Sequence, residues 1–196
     1  MKNPYLRKFS QLHSNRIIVS ESGREHYSEI ERGKEPEESY HQYRREWAKK
    51  YAWAIPNAEA IERIVEESPI VEIGAGTGYW AWLIDQKGGD IICYDVDPPT
   101  DEEAWYDVKW GDHEKASAFP NRTLFLSWVS YNEDWGLKAL KNYEGDTVIV
   151  IGEGSGGCTG DSGFHSRLAH NWKVVDSVNI PQWYGIHDYM RVYKRK

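Results

Sequence analysis

The sequence predicts an α/β fold: a doubly wound, seven-stranded sheet, parallel except for a reversed last strand, with helices on both faces. Three observations carry that expectation. Near-continuous Val/Ile runs, "IVEIG", "DIICYDVD" and "DTVIVIGE", alternate with helical segments, the pattern of strands buried on both faces. A glycine-rich turn, "GAGTGYW", follows the first of these runs and leads into a helix. The last two strand-like segments, "KVVDSVNIP" and "HDYMRVYKRK", have only "QWYGI" between them, too little for a crossover helix, so the last strand must run antiparallel.

Taken in order, residues 1–34 are polar, mixed in charge and without clear period, and are expected to form a flexible or loosely docked N-terminal arm. A single domain is expected over 35–196, opening with helices within 37–67. The first, "EESYHQYRREWAKKYAW", carries Tyr40, Tyr43, Trp47 and Tyr51 on one side. Pro56 and Asn57 interrupt it, and Asn57 is a good N-cap for "AEAIERIVEES", whose Ala58, Ile61, Ile64 and Val65 share a face. Beyond the glycine turn, "TGYWAWLIDQK" reads as a helix closed by Gly88 and Gly89. "TDEEAWYD" reads as a short helix opened by a capping box of Thr100 with Glu103. "VKWGD" and "TLFLSW" are short strands. "NEDWGLKALKNY" is a helix with Trp135, Leu137 and Leu140 inward, and "DSGFHSRLAHN" is a further helix.

Composition narrows the function classes. The 196 residues suffice for a sizeable core, and 40% apolar with 28% charged residues is an ordinary globular profile. Ten Trp and thirteen Tyr call for a deep core or an aromatic pocket. A formal net charge of −7 argues against long contact with a nucleic-acid backbone. The N-terminal residues lack the apolar region of a signal peptide, and no run approaches a membrane span. Cys93 and Cys158 are expected to be free thiols in the cytoplasm, and Cys158 with His165 is too small a ligand set for a metal.

The glycine turn defines the expected site. Gly74, Gly76 and Gly78 let backbone N–H groups approach a ligand closely. A dinucleotide turn needs a small residue where Tyr79 stands, and Glu72 is poorly placed beside phosphates but suits an ammonium or sulfonium. Asp95 lies 19 positions beyond Gly76, the spacing of a carboxylate that binds ribose hydroxyls. Gly111 and Asp112 end the third strand, where a carboxylate can accept from an adenine amino group.

On these residues the chain resembles the class I S-adenosylmethionine-dependent methyltransferases, with their Rossmann-like sheet. "VEIGAGTGYW" is similar to their first motif, "YDVD" to the second and "WGD" to the third, over roughly residues 50–196. The resemblance implies S-adenosyl-L-methionine as cofactor, held by Glu72, Gly74, Gly76, Gly78, Asp95, Gly111, Asp112 and Ser127. Methyltransferases acting on amino nitrogens carry Asn/Asp/Ser-Pro-Pro-Tyr/Phe after the fourth strand. Here Trp128-Val129-Ser130-Tyr131 keeps only the aromatic, with Ser127 one position earlier standing in for the leading polar residue. Tyr131 and His187 are the expected catalytic residues, His187 as general base, and Trp53, Glu153 and Trp183 the expected substrate contacts. A small-molecule acceptor or a protein side chain is expected, since nothing in the chain reads as a target-recognition domain. The altered fourth-strand motif motivates an alternative, a cofactor-binding module without turnover.

Overall fold

In the computed structural model, the structure describes residues 1–12, 17–19, 25–27 and 38–196. Of the expected arm, residues 13–16, 20–24 and 28–34 lie outside the described residues. Its first residues do not: α1 (Pro4–Leu12) buries Tyr5 and Phe9. The short strands β1 (Ile17–Val19) and β2 (Glu25–Tyr27) pair antiparallel. Then follow α2 (Glu38–Lys50), α3 (Ala58–Val65), β3 (Ile70–Ile73), α4 (Tyr79–Gln86), β4 (Ile91–Asp95) and β5 (Val108–Trp110). The second half holds β6 (Thr123–Ser127), α5 (Trp135–Asn142), β7 (Thr147–Gly152), α6 (Ser162–Asn171), β8 (Trp172–Asn179) and β9 (Tyr189–Arg195).

The seven-stranded sheet has the order β5-β4-β3-β6-β7-β9-β8. The first five strands are mutually parallel, and β9 runs antiparallel to both β7 and β8. Strand β7 explains why its sequence is a continuous apolar run: all six residues are buried, because both faces are covered. Ile149 and Ile151 pack with Ile61 and Ile64 of α3 and Leu83 of α4, whereas Val148 and Val150 pack with Leu140 of α5 and Leu168 of α6. The order reverses between β3 and β6, so their carboxyl ends open a crevice.

Local signals set several boundaries. Asn57 caps α3 by accepting from the Ala60 N–H at 2.9 Å. Asp161 does the same for α6, accepting from the Phe164 N–H at 2.7 Å. The expected helix at "TDEEAWYD" does not form. Thr100 does donate to the Glu103 carboxylate at 3.0 Å, but only one turn follows. Trp105 ends it by bonding elsewhere, its N–H to Thr77 O at 2.8 Å and its indole to Lys50 O at 2.7 Å. A 3-10 helix at His113–Ala118, capped by Asp112, was not expected from the pattern.

Helix α1 packs against Tyr79, which follows the glycine turn, and against Trp183. Tyr79 does not face the glycine turn: its ring is fully buried, its hydroxyl donates to Asn3 Oδ1 at 2.8 Å, and that hydroxyl accepts from the Tyr5 N–H at 3.0 Å. Trp183, expected at the substrate, is likewise a core residue. It is 1% exposed, packs edge-on against Phe9, and donates from its indole to the Tyr5 hydroxyl at 2.9 Å.

Candidate functional site

The turn after β3 takes the left-handed conformation at all three of its glycines, with φ of 78°, 54° and 73° at Gly74, Gly76 and Gly78. Gly74 is needed a second time for space, since a Cβ there would meet the Trp135 ring at 2.7 Å. Asp95, at the end of β4, ties the turn down. One carboxylate oxygen accepts from the Gly76 N–H at 2.8 Å and the other from the Asp97 N–H at 2.9 Å.

Beneath the turn sits Glu72, 1% exposed, flanked in the sheet by Cys93 and Phe125. Its Oε2 has no hydrogen-bond partner. Burial, and then the nearby Asp95 charge, push this carboxyl well above the usual range. The Trp80 indole N–H is buried and unpartnered as well. Both groups line a cavity of about 270 Å³ together with Gly74, Gly76, Ser127 and Trp128. An adjoining cavity of about 380 Å³ shares Gly74, Gly76, Ser127 and Trp128 and extends to Asp95, Gly111 and Asp112.

The wall shared by these two cavities is an indole pair. Trp53 and Trp128 stack with ring centroids 5.2 Å apart and planes 17° from parallel. The Arg44 guanidinium lies 5.3 Å from the Trp53 ring centroid and 5.1 Å from that of Trp128. Trp128 has φ of 55°, the one non-glycine residue in the left-handed region among the described residues. That conformation costs about 1–3 kcal/mol in a bulky residue. Its indole N–H donates to Asp188 Oδ2 at 2.9 Å, which fixes the ring.

Asp188 is 1% exposed and its Oδ1 has no partner. Burial raises its pKa from 3.8 to about 7, against the opposing pull of the Trp128 hydrogen bond. An acid raised in the folded state binds more protons folded than unfolded, so its contribution to stability is present below pH 3.8 and is lost as pH rises to about 7. Asp188→Asn keeps an acceptor for Trp128 and removes this titration. The melting-temperature difference between variant and wild type is therefore expected to grow in the variant's favour from about pH 5 to about pH 8. A constant difference across that range contradicts the assignment.

A third cavity, of about 610 Å³, lies beyond the ends of β7 and β9 and is lined by Tyr131, Glu153, His187 and the glycine loop 154–157. Glu153 organises it: Oε2 accepts from the Cys158 N–H at 2.7 Å and Oε1 from the His187 N–H at 2.8 Å. His187 Nδ1 stands 3.3 Å from the same Oε1, and the imidazole is 72% exposed. The chain passes from one cavity to the next between Ser130 and Tyr131, which line the second and third respectively.

No protein-family model and no curated protein matches this sequence. Solved structures do. The N-methyltransferase NodS from Bradyrhizobium japonicum WM9, in complex with S-adenosyl-L-homocysteine, aligns with a TM-score of 0.50 and 13% identity over 80% of this chain and 98% of that one. The 1,6-didemethyltoxoflavin-N1-methyltransferase of Burkholderia thailandensis, with bound 1,6-didemethyltoxoflavin and S-adenosylhomocysteine, aligns with a TM-score of 0.49 and 15% identity over 81% and 84% of the two chains. At 13% identity the likeness to NodS carries the fold alone.

The fold is a Rossmann-like, seven-stranded mixed sheet with a reversed last strand.

Within this fold, Glu72, Gly74, Gly76, Asp95, Gly111, Asp112 and Ser127 fall on the two adjoining cavities, as does Trp53. Gly78 does not line them. It opens α4, and a Cβ there would meet Val108 at 2.8 Å, so its place is in packing the turn on β5. Tyr131, Glu153 and His187 come together at the third cavity, and Trp183 stands apart in the core. The sequence reading did not single out Asp188, Arg44 or Trp80. Asp188 lies between His187 and Tyr189, just before β9, and nothing in that stretch marks it as buried. No helix among the described residues is long and apolar enough to cross a membrane, and no His/Cys/Asp/Glu group among them is arranged to hold a metal.

Proposed function

We propose that this protein is an S-adenosylmethionine-dependent methyltransferase acting on a small molecule. The observation that carries the reading is the buried, unpartnered Glu72 carboxylate in a cavity floored by the glycine turn. A carboxylate left without a donor in that position wants a cation, and the amino-acid ammonium of the cofactor supplies one. Asp95 is placed for the ribose hydroxyls and Asp112 for the adenine amino group, while Gly74, Gly76 and Ser127 give the ligand room along the backbone. When bound, the cofactor supplies an activated methyl group on a positively charged sulfur.

The residues of the chain then have to orient the acceptor, exclude water and take a proton. The Trp53–Trp128 pair forms the apolar wall, held by Asp188 from behind. His187 is the general base. With Nδ1–H directed at Glu153, the lone pair rests on Nε2, and Tyr131 lines the same space. The acidic cavity residues and the net charge of −7 favour a small acceptor over a nucleic acid.

Transfer of labelled methyl groups from S-adenosylmethionine to components of a cell extract tests the reading. Wild type is expected to transfer label, and Gly76→Arg, which fills the turn, is not. A protein that binds the cofactor but never transfers label is a binding module instead. In the same assay His187→Gln is expected to slow transfer by about a hundredfold while leaving cofactor affinity within about twofold, the signature of a lost proton acceptor. Equal loss of binding would assign His187 to the cofactor site.

A further inference from the structure

The cavity beyond β7 and β9 is the part of the cleft that the cofactor residues leave unused, and its about 610 Å³ suits a small molecule. One side is backbone, because residues 154–157 read Gly-Ser-Gly-Gly, and Tyr131 and Tyr189 supply aromatic surface. Neither lysine nor arginine is among the described residues that line it. The Arg191 guanidinium lies over the Tyr189 ring at 5.1 Å, is hydrogen-bonded to Tyr193, and has Nη1 3.9 Å from where a Cβ on Gly154 would stand.

Negative charge, by contrast, is built in. Although burial opposes it, the hydrogen bonds from Cys158 and His187 hold the Glu153 carboxyl below its ordinary value, so Glu153 is ionised. Asp188, which follows His187, does not line the cavity: it is 1% exposed and holds the Trp128 indole from behind. An ionised carboxylate and an imidazole thus meet at one end of an aromatic-sided cavity. A carboxylate ligand is repelled there, an alcohol gains nothing from the charge, and a cation is attracted.

We infer that this cavity takes a small molecule bearing a basic amine, and that the amine nitrogen is the methyl acceptor. The inference rests on the methyltransferase reading above. The ammonium form is drawn in by Glu153 and gives one proton to Nε2 of His187. The freed lone pair forms the new nitrogen–carbon bond as the bond from that methyl carbon to sulfur breaks, and the breaking bond's electron pair stays on sulfur. The product is a methylated ammonium, and His187 returns its proton to solvent.

The test uses three matched probes, 2-phenylethylamine, 2-phenylethanol and 3-phenylpropanoate, titrated into the protein saturated with S-adenosylhomocysteine and followed by amide NMR shifts. The amine is expected to bind at least about tenfold more tightly than either partner and to move the amides of Gly154, Gly156, Gly157 and His187. Glu153→Gln is expected to cut that preference to about threefold or less, with S-adenosylhomocysteine affinity retained. Equal binding of the alcohol or the carboxylate, shifts elsewhere than at these amides, or no binding by the amine overturns the inference. Failure of S-adenosylhomocysteine itself to bind overturns the methyltransferase reading instead, so the two failures are told apart.

Discussion

Replacing Glu72 by glutamine is expected to stabilise the free protein and to weaken its grip on the cofactor at the same time. Glu72 is buried, Oε2 has no donor, and its carboxyl is raised well above the ordinary value of 4.5. In the unfolded chain it ionises near that ordinary value, while in the folded chain ionisation is resisted. The folded state therefore binds the extra proton, and stability falls as pH rises above about 4.5. Glutamine has nearly the same shape and no charge to bury, so the variant escapes that loss at neutral pH. The melting temperature is expected to rise at pH 7 by several degrees and to match wild type near pH 4, an effect of order 1–2 kcal/mol. Affinity for S-adenosylhomocysteine is expected to fall by about tenfold or more, because the ammonium loses its one buried counter-charge. A purely structural Glu72 predicts that stability and affinity move together. Opposite movement, read by thermal unfolding and calorimetry on the same preparations, is the expected result.

The second large effect is expected at Asp95. Asp95→Ala removes the carboxylate placed for the ribose and also the acceptor that holds the Gly76 N–H at 2.8 Å. Both losses act on the ligand, one on its contacts and the other on the shape of the turn that receives it. Two charge-assisted hydrogen bonds to the ribose are worth about 3 kcal/mol together, so a loss of about a hundredfold in affinity is expected. Asp95→Asn keeps acceptors for the Gly76 and Asp97 amides and separates the two contributions. It is expected to fall between wild type and Asp95→Ala, and equal affinity of all three proteins contradicts the ribose assignment.

These two residues were legible because their signals are local. Glu72, the three glycines and Asp95 sit at consecutive strand ends, where spacing along the chain translates directly into position around one crevice. The continuous apolar run of β7 and the missing crossover before β9 likewise fixed strand type and direction from neighbouring residues. What stayed hidden depends on contacts between distant segments. Trp183 and Tyr5 are 178 positions apart, and nothing near either residue foretells that their side chains hydrogen-bond in the core. Asp188 reaches Trp128 across 60 positions, and Arg44 meets the indole pair from α2. At "TDEEAWYD" a sound local signal was overruled, since the capping pair formed while Trp105 found better partners on Thr77 and Lys50. The departure at Trp128-Val129-Ser130-Tyr131 also acquires a physical meaning: a strained indole, locked by a buried acid, occupies the place where a simple polar residue was expected.

The central claim is that the turn between Gly74 and Gly78, with Glu72 below it and Asp95 beside it, holds S-adenosylmethionine. Calorimetric titration of the wild-type protein with S-adenosylhomocysteine tests it most directly, with NAD titrated in parallel. The account predicts saturable binding of one S-adenosylhomocysteine per chain and none of NAD. Absence of heat and of any shift in melting temperature with S-adenosylhomocysteine and S-adenosylmethionine, or tighter binding of NAD, contradicts it.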